Sequence, residues 1–314
     1  MNRHRPGRTR RRYAVRWYVE AALLWVLWLA VRRMRPESAA ATGGRLFGWL
    51  GPKTRRHERI RRNLSVAFPH YGRERVEALA RDIWRGFGSV VAEYPHLRSL
   101  VFAPDDPAVT VVFDEQAGRI VSARTPAVYI SAHVGNWELV ASVIVAAGVP
   151  LSVVYAPQKN PLLERMLQSQ RRALDCEFIA KQDAVRQLVR QMRTGKSVGL
   201  LPDQRMDSGV RVPLFGEDTP SPLTPAWLAH RMQCPLIPVH AERTGNARYR
   251  IVFHRPIVPG TGNGDSEELF RTTRLVNRTF EDWIRRRPGQ WVCLKRRWPE
   301  SVHARADAGR APCG

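Results

Sequence analysis

Little in this sequence can close a disulfide or hold a metal. The four cysteines, Cys176, Cys234, Cys293 and Cys313, fall at no paired or metal-ligand spacing. That points to a reducing compartment and away from a zinc site. Walker and dinucleotide glycine fingerprints are absent, and no segment repeats, so no cofactor is expected. Acidic residues are few: 28 Asp and Glu face 51 Lys and Arg, leaving a net charge of +23. Lysine is scarcer still, with five (Lys53, Lys159, Lys181, Lys196, Lys295), so the excess is arginine. A full-length membrane run is missing too. The one long apolar stretch, residues 17–31, would make a helix of about 22 Å against a hydrocarbon core of roughly 30 Å.

What is present begins with that charge. It calls for a partner such as an anionic membrane, an acidic protein, a phosphorylated ligand or nucleic acid. Residues 1–16 carry seven arginines (Arg3, Arg5, Arg8, Arg10, Arg11, Arg12 and Arg16). This arm runs into 17–31, which has Glu20 near its start, Trp25 and Trp28 inside, and Arg32, Arg33 and Arg35 closing it. The expectation is a membrane anchor, spanning or half-inserted; a cleaved signal and a soluble helix are the alternatives. Arginines on both flanks leave orientation open, with the N-terminal excess favouring a cytoplasmic N-terminus.

Residues 36–52 read as a connection containing Gly, Ala and Pro. Residues 53–99 read as two helices broken at 68–72. The first is very basic (Arg55, Arg56, Arg59, Arg61, Arg62), which is either a solvated or a membrane-facing surface. The second has apolar positions 76, 79, 83, 87, 90 and 91 on one stripe. From 108 the pattern changes to short apolar runs alternating with helical stretches. Strands are predicted at 109–113, 127–132, 151–155, 197–201, 236–240 and 249–253, and helices at 138–147, 161–174, 183–193, 223–232 and 266–285. Residues 257–264 form a loop. The fold class is therefore α/β: a mixed, mostly parallel sheet flanked by helices, with an N-terminal membrane-associated helix and a helical N-terminal segment. The divisions are 1–35 (basic arm and anchor), 36–107 (helical, membrane-proximal), 108–298 (α/β core) and 299–314 (disordered tail).

The stretch 126–149 organises the rest. A short buried strand ends in a polar turn, His133-Val134-Gly135-Asn136-Trp137-Glu138, that opens a helix of small and apolar residues. Residues five apart on one helix are rotated by about 140° and cannot face each other. His133 is therefore expected in the turn and Glu138 in the first helical turn, where its carboxylate can reach the imidazole. A carboxylate-oriented base can deprotonate a hydroxyl. The plainer reading of the bare spacing is a strand-end histidine beside an unrelated glutamate. Asn136 is a helix cap or a site residue. Asp203 follows a buried strand at a Pro turn, at the carboxyl edge of the sheet, and caps that turn or serves the site. Gln204 is its neighbour.

Several blocks together resemble the late-acting lipid A acyltransferases, the lauroyl and myristoyl transferases, within the lysophospholipid acyltransferase superfamily. The blocks are Arg62-Asn63-Leu64 with Ala67-Phe68-Pro69; Glu93; His133 to Glu138; Asn160-Pro161 followed by Arg171; Gly199-Leu200-Leu201-Pro202-Asp203-Gln204; Val212-Pro213-Leu214-Phe215-Gly216 with Thr224; Gln290-Trp291; and Leu294-Lys295-Arg296-Arg297-Trp298. Two departures stand out. Gly289 occupies the usual place of Glu, and Cys293-Leu294-Lys295 that of Trp-Leu-His. Glycerolipid branches usually carry Asp where Glu138 stands, which favours the lipid A branch; mycobacterial mannolipid acyltransferases share much of the pattern.

The resemblance implies acyl transfer from an acyl carrier protein thioester to a hydroxyl of a phosphorylated glycolipid acceptor, at the cytoplasmic face of a bacterial inner membrane. His133 would be the base, Glu138 its orienting acid, and no covalent acyl-enzyme would form. Arg171 would contact an oxyanion or a phosphate, Asp203 would orient the acceptor or hold Arg171, and Gln204 and Asn136 would assist. The basic residues, including Arg171, Arg172, Arg296 and Arg297, would meet carrier protein, phosphates and bilayer. Nucleic acid is not an expected partner. The alternatives are the same chemistry on another membrane lipid, and a non-catalytic basic protein that binds membrane or nucleic acid.

Overall fold

The computed structural model describes residues 7–102, 108–171, 175–182, 184–260 and 264–308, with the side chains of 7–14, 102 and 308 excepted. The expectations for Arg172, for Cys313 and for the extreme N-terminal arginines lie outside the described residues.

Five helices come first: α1 (Gly7–Arg32), α2 (Pro36–Leu50), α3 (Arg55–Ala67), α4 (Arg73–Glu93) and α5 (Leu97–Phe102). Strand β1 (Val109–Phe113) and α6 (Glu115–Ser122) follow, then β2 (Val128–Ile130), α7 (Glu138–Ala146), β3 (Leu151–Tyr155), α8 (Pro161–Arg171), β4 (Glu177–Ala180), α9 (Ala184–Arg193) and β5 (Ser197–Leu200). A hairpin, β6 (Val210–Leu214) and β7 (Glu217–Ser221), stands apart as its own two-stranded sheet. The chain continues through α10 (Thr224–Met232), β8 (Leu236–Gly245), β9 (Arg248–Phe253), α11 (Ser266–Arg286) and α12 (Glu300–Ala308).

The main sheet has seven strands in the order β1-β9-β8-β2-β5-β3-β4. All neighbours are parallel except β8 and β9. This is the mixed, mostly parallel sheet that the alternation predicts. One face packs Leu139, Val143, Ile144, Tyr129 and Ile237 with α5, α6 and α7. The other packs Val128, Ile130 and Val198 against Ile60, Leu64 and Ile83 of α3 and α4 and Phe280 and Trp283 of α11. Helices α2 to α5 thus share a core with the sheet.

Some elements depart from the expectation. Residues 36–50 are a helix, not a connection. Pro36 sits at its first turn, where a missing N–H costs nothing, and Ala39, Ala40, Gly43 and Gly44 form its buried face. That face lies on α4 at backbone contact: a Cβ on Gly88 would sit 2.2 Å from the Gly43 carbonyl oxygen, and one on Gly43 would sit 2.4 Å from that of Gly88. Residues 300–308 are a helix rather than a disordered tail, because Val302 and His303 bury against the core and Arg62 binds Glu300 at 2.5 Å and Asp307 at 3.2 Å. Strand β7 (Glu-Asp-Thr-Pro-Ser) has no apolar run, and β4, β6 and α6, of four, five and eight residues, are too short for a period to announce them. The helix expected around 17–31 runs from Gly7 to Arg32. Among the described residues, no helix is long and apolar enough to cross a membrane.

The α2–α4 contact yields a matched test. Gly88→Ala overpacks it and is expected to lower the unfolding free energy by about 1–3 kcal/mol. Gly86→Ala, on the same helix with nothing within 4 Å of the added carbon, is expected to raise it by roughly 0.5–1 kcal/mol. Denaturant unfolding of the two variants against wild type measures both.

Candidate active site

The register of the sheet builds the site. Ile130 of β2 pairs with Leu200 of β5, and each strand then runs three residues into its loop. His133 and Asp203, 70 apart in sequence, therefore meet side by side beyond the carboxyl edge, where α/β sheets place their ligands. The His133 Nδ1 lies 2.7 Å from Asp203 Oδ1, and the His133 backbone N–H donates to Oδ2 at 3.1 Å. The Trp291 indole N–H donates to the same Oδ2 at 3.4 Å. Burial pushes the Asp203 carboxyl up, but the facing His133 and its hydrogen bonds outweigh burial and hold it below its ordinary value.

The other imidazole nitrogen fixes the tautomer. His133 Nε2 lies 3.1 Å from the Gln204 side-chain nitrogen, and the Gln204 oxygen accepts from Lys295 Nζ at 2.8 Å. An ammonium can only donate, so the Gln204 oxygen must face Lys295 and its NH2 must face the ring. Nε2 is then the acceptor and Nδ1 carries the proton, which goes to Asp203. The side chain of His133 keeps 18% of its surface open to solvent, and Trp137 packs obliquely against the ring at 5.0 Å between centroids.

The expected His133–Glu138 pair is not what forms. Among the described residues His133 bonds to Asp203 and Gln204, while Glu138 accepts from Arg171 Nη2 at 3.3 Å. The cause is the turn. Gly135 adopts a φ of +59° with its α-carbon against Ala241 of β8, where a Cβ would sit 2.2 Å from the carbonyl oxygen. Glu138 does open α7, as the spacing predicts, but its carboxylate points to α8. There the Arg171 guanidinium lies 5.0 Å from the rings of both Tyr155 and Phe178. Burial lowers the Arg171 pKa, and Glu138 and Tyr94 more than restore it, so it stays charged. Arg171 is thus held by Glu138 and not by Asp203. Asn136 also departs from expectation. It is fully buried and donates to Glu93 Oε2 at 2.9 Å, so it does not cap α7 and belongs to the buried network behind the turn.

Glu93 anchors the turn from behind. Its fully buried carboxylate takes donors from Asn136, from both terminal nitrogens of Arg243 (2.6 and 3.1 Å) and from the Tyr249 hydroxyl. Losing one partner of such a buried pair costs about 3–5 kcal/mol. Gln290 adds a second brace. Its side chain holds both backbone groups of Arg243 at 2.9 Å, and its carbonyl accepts from Gly135. Val292 N–H donates to the His133 carbonyl at 2.7 Å. Arg243, Tyr249, Trp291 and Lys295 were not singled out as site residues from the sequence; for Trp291 and Lys295, membership of the closing block was the available clue.

The family blocks acquire contacts. Asn63 of α3 donates to the carbonyls of Cys293 and Lys295 and accepts from Arg297 N–H, so the early block holds the closing one. Asn160, at the head of α8, donates to the Trp17 carbonyl and ties α1 to the helix that carries Arg171. Beside the site, a cavity of about 530 Å³ shares Val134 and Gln290 with the turn and is lined by Arg250, Arg286, Arg287, Glu242 and the stacked His240–His254 pair. Among the described residues, no thiol is an activated nucleophile: burial pushes the Cys176 and Cys293 thiols up to about 12 and Cys234 to about 11.

Comparison with known proteins agrees over almost the whole length. Residues 5–300 match the family model described as bacterial lipid A biosynthesis acyltransferase. A lipid A biosynthesis acyltransferase of Haemophilus influenzae is 23% identical over 297 residues, covering 88% of this chain and 86% of that protein. A lipid A biosynthesis palmitoleoyltransferase of Escherichia coli K12 is 23% identical over 298 residues, covering 91% and 92%. A Shigella flexneri lipid A biosynthesis acyltransferase matches to the same extent.

Proposed function

Because the chain belongs to the bacterial lipid A biosynthesis acyltransferase family, we propose that it moves a fatty acyl chain from the thioester of acyl carrier protein to a hydroxyl of a phosphorylated lipid A precursor. The observation that carries the reading is the Asp203–His133 pair, which leaves Nε2 as the acceptor nitrogen of the ring, bonded at rest to the Gln204 amide. Asp203 holds the imidazole in the Nδ1–H tautomer and stabilises the imidazolium that forms, as the acid of a triad does. Nε2 takes the proton of the acceptor hydroxyl, whose oxygen attacks the thioester carbonyl. The acceptor supplies the nucleophile, so no acyl-enzyme is needed. Glu138 holds Arg171 at the head of α7, where its charge steadies the wall of the site. The cavity with Arg250, Arg286 and Arg287 offers an acidic carrier protein a basic face next to the same turn.

The same reading places the protein on the cytoplasmic face of the inner membrane, lying on the bilayer. Helix α1 buries Val31 against Ala39 of α2 and Ala92 of α4, and Asn160 holds the carbonyl of Trp17. Outward it leaves Val15, Tyr18, Val19, Leu23 and Val26 more than half exposed, on one stripe of three- and four-residue spacing. Trp49 and Leu50 at the end of α2 are exposed as well. An apolar stripe flanked by arginine suits the interface between headgroups and acyl chains.

Two measurements test these readings. Purified protein is offered a panel of acyl carrier protein thioesters with a tetra-acylated lipid A precursor. Wild type is expected to add one chain. His133→Ala and Asp203→Asn should each lose about 10³–10⁴-fold in kcat, and Glu138→Gln about 10–100-fold through a loosened Arg171. Equal losses for Glu138→Gln and none for Asp203→Asn would refute the assignment of partners. Transfer to a different lipid would keep the chemistry and change the substrate. For attachment, flotation with anionic vesicles is expected to recover wild type, and the Val19→Glu, Leu23→Glu, Val26→Glu triple variant should bind at least about 100-fold more weakly, since each such side chain contributes about 1.5–3 kcal/mol on burial. Undiminished flotation of the triple variant would remove α1 from the membrane contact.

A further inference from the structure

Lys295 stands where the resembling family usually has histidine, and it occupies a defined place in the site. Its backbone carbonyl is fastened by Asn63 at 2.7 Å, while its side chain reaches solvent and ends on the Gln204 oxygen at 2.8 Å. The donors and acceptors then run in one direction: Lys295 to Gln204, Gln204 to His133 Nε2, His133 Nδ1–H to Asp203. Two consequences follow. The lone pair that must receive the hydroxyl proton is covered by the Gln204 amide. The Gln204 N–H already occupies Nε2, and the cavity behind the amide, bounded by Asp203, Gln204, Trp291 and Lys295, is about 10 Å³, room for one water at most, so an acceptor hydroxyl must displace the amide to bond at Nε2.

We propose that Lys295 is a positioning residue that aims the Gln204 amide, first as a cap on the resting base and then, once the acceptor hydroxyl has displaced it, as the donor to the carbonyl oxygen of the thioester. This rests on the acyl-transfer reading above. The amide is tethered by its oxygen, so it can shift only a short way, and the reacting carbonyl must lie within reach of the hydroxyl bound at Nε2. Arg171 is already committed to Glu138 and to the Tyr155 and Phe178 rings. As the hydroxyl oxygen bonds to the carbonyl carbon, its proton passes to His133 Nε2 and the carbonyl π electrons move onto oxygen. The Gln204 N–H stabilises that oxyanion, with the Lys295 charge behind it. Collapse re-forms the carbonyl and breaks the C–S bond. The departing thiolate takes the proton from Nε2, leaving ester, thiol and neutral imidazole.

The test uses the full chain with Gln204→Leu, Lys295→Met and Lys295→Arg. Without substrate, diethyl pyrocarbonate labels exposed imidazole nitrogen, and the His133 peptide is read by mass spectrometry. Uncapping by Gln204→Leu or Lys295→Met should speed labelling about fivefold, the worth of one ordinary net hydrogen bond; Lys295→Arg should label like wild type. In steady state, Gln204→Leu should lower kcat about 10²–10³-fold and Lys295→Met about 10–100-fold, with KM within about twofold and Lys295→Arg recovering most of the loss. Unchanged labelling in both Gln204→Leu and Lys295→Met overturns the cap. Faster labelling with kcat undiminished overturns the hand-over to the oxyanion. If wild type acylates nothing, the acyl-transfer reading and the hand-over fail, and the labelling still decides the cap separately.

Discussion

One hydrogen bond, from His133 Nδ1–H to the Asp203 carboxylate, organises the candidate site of this molecule. A neutral imidazole has one donor and one acceptor nitrogen, so committing Nδ1 as donor leaves Nε2 as the acceptor. Asp203 is buried and its pKa stays below the ordinary value, so a fixed negative charge is available when the ring becomes cationic. The bond exists because β2 and β5 are neighbours with Ile130 opposite Leu200. A slip of the register would carry the two side chains apart and turn the neighbouring residues to the wrong face.

Much of the remaining structure keeps those two loops still. The turn after His133 is fastened by Glu93 through Asn136, by Gln290 through the Gly135 N–H, and by Val292 through the His133 carbonyl. Glu93 is itself satisfied by Arg243 and Tyr249 from β8 and β9. A buried charge so fully paired adds little net stability compared with apolar packing, but it is costly to disturb. The closing segment that carries Trp291 and Lys295 is held by Asn63 of α3. Helix α3 is in turn locked by α12 through Arg62. Blocks that look unrelated along the chain are thus one bracket around His133, assembled from α3, α4, the β8–β9 pair and the segment 290–297.

The sheet was legible in the sequence because parallel strands are buried on both faces and read as short apolar runs, as 127–132 and 197–201 do. Helix α2 was not: Gly43, Gly44 and the neighbouring alanines look like a linker until α4 supplies a backbone to lie against. The position of His133 in the turn was legible, and Glu138 was correctly placed at the head of α7. Its partner was misassigned, because five residues of local spacing suggested a contact that the left-handed Gly135 turns away. Asp203 was seen as a site residue, yet its link to His133 needed the order of β2 and β5. Asn136 looked available and proved to belong to a buried network whose other members, Arg243 and Tyr249, carry no local pattern at all.

The most direct measurement is the protonation state of a single ring. Nitrogen-15 NMR of protein labelled in its nine histidines, at about pH 8.5 where ordinary imidazoles are neutral, distinguishes the two tautomers, and His133→Ala identifies the signal. The structure predicts a proton on His133 Nδ1 and a bare, hydrogen-bonded Nε2. A proton found on Nε2 would mean that Asp203 does not hold the ring, and that the base presented to an acceptor hydroxyl is not the one described.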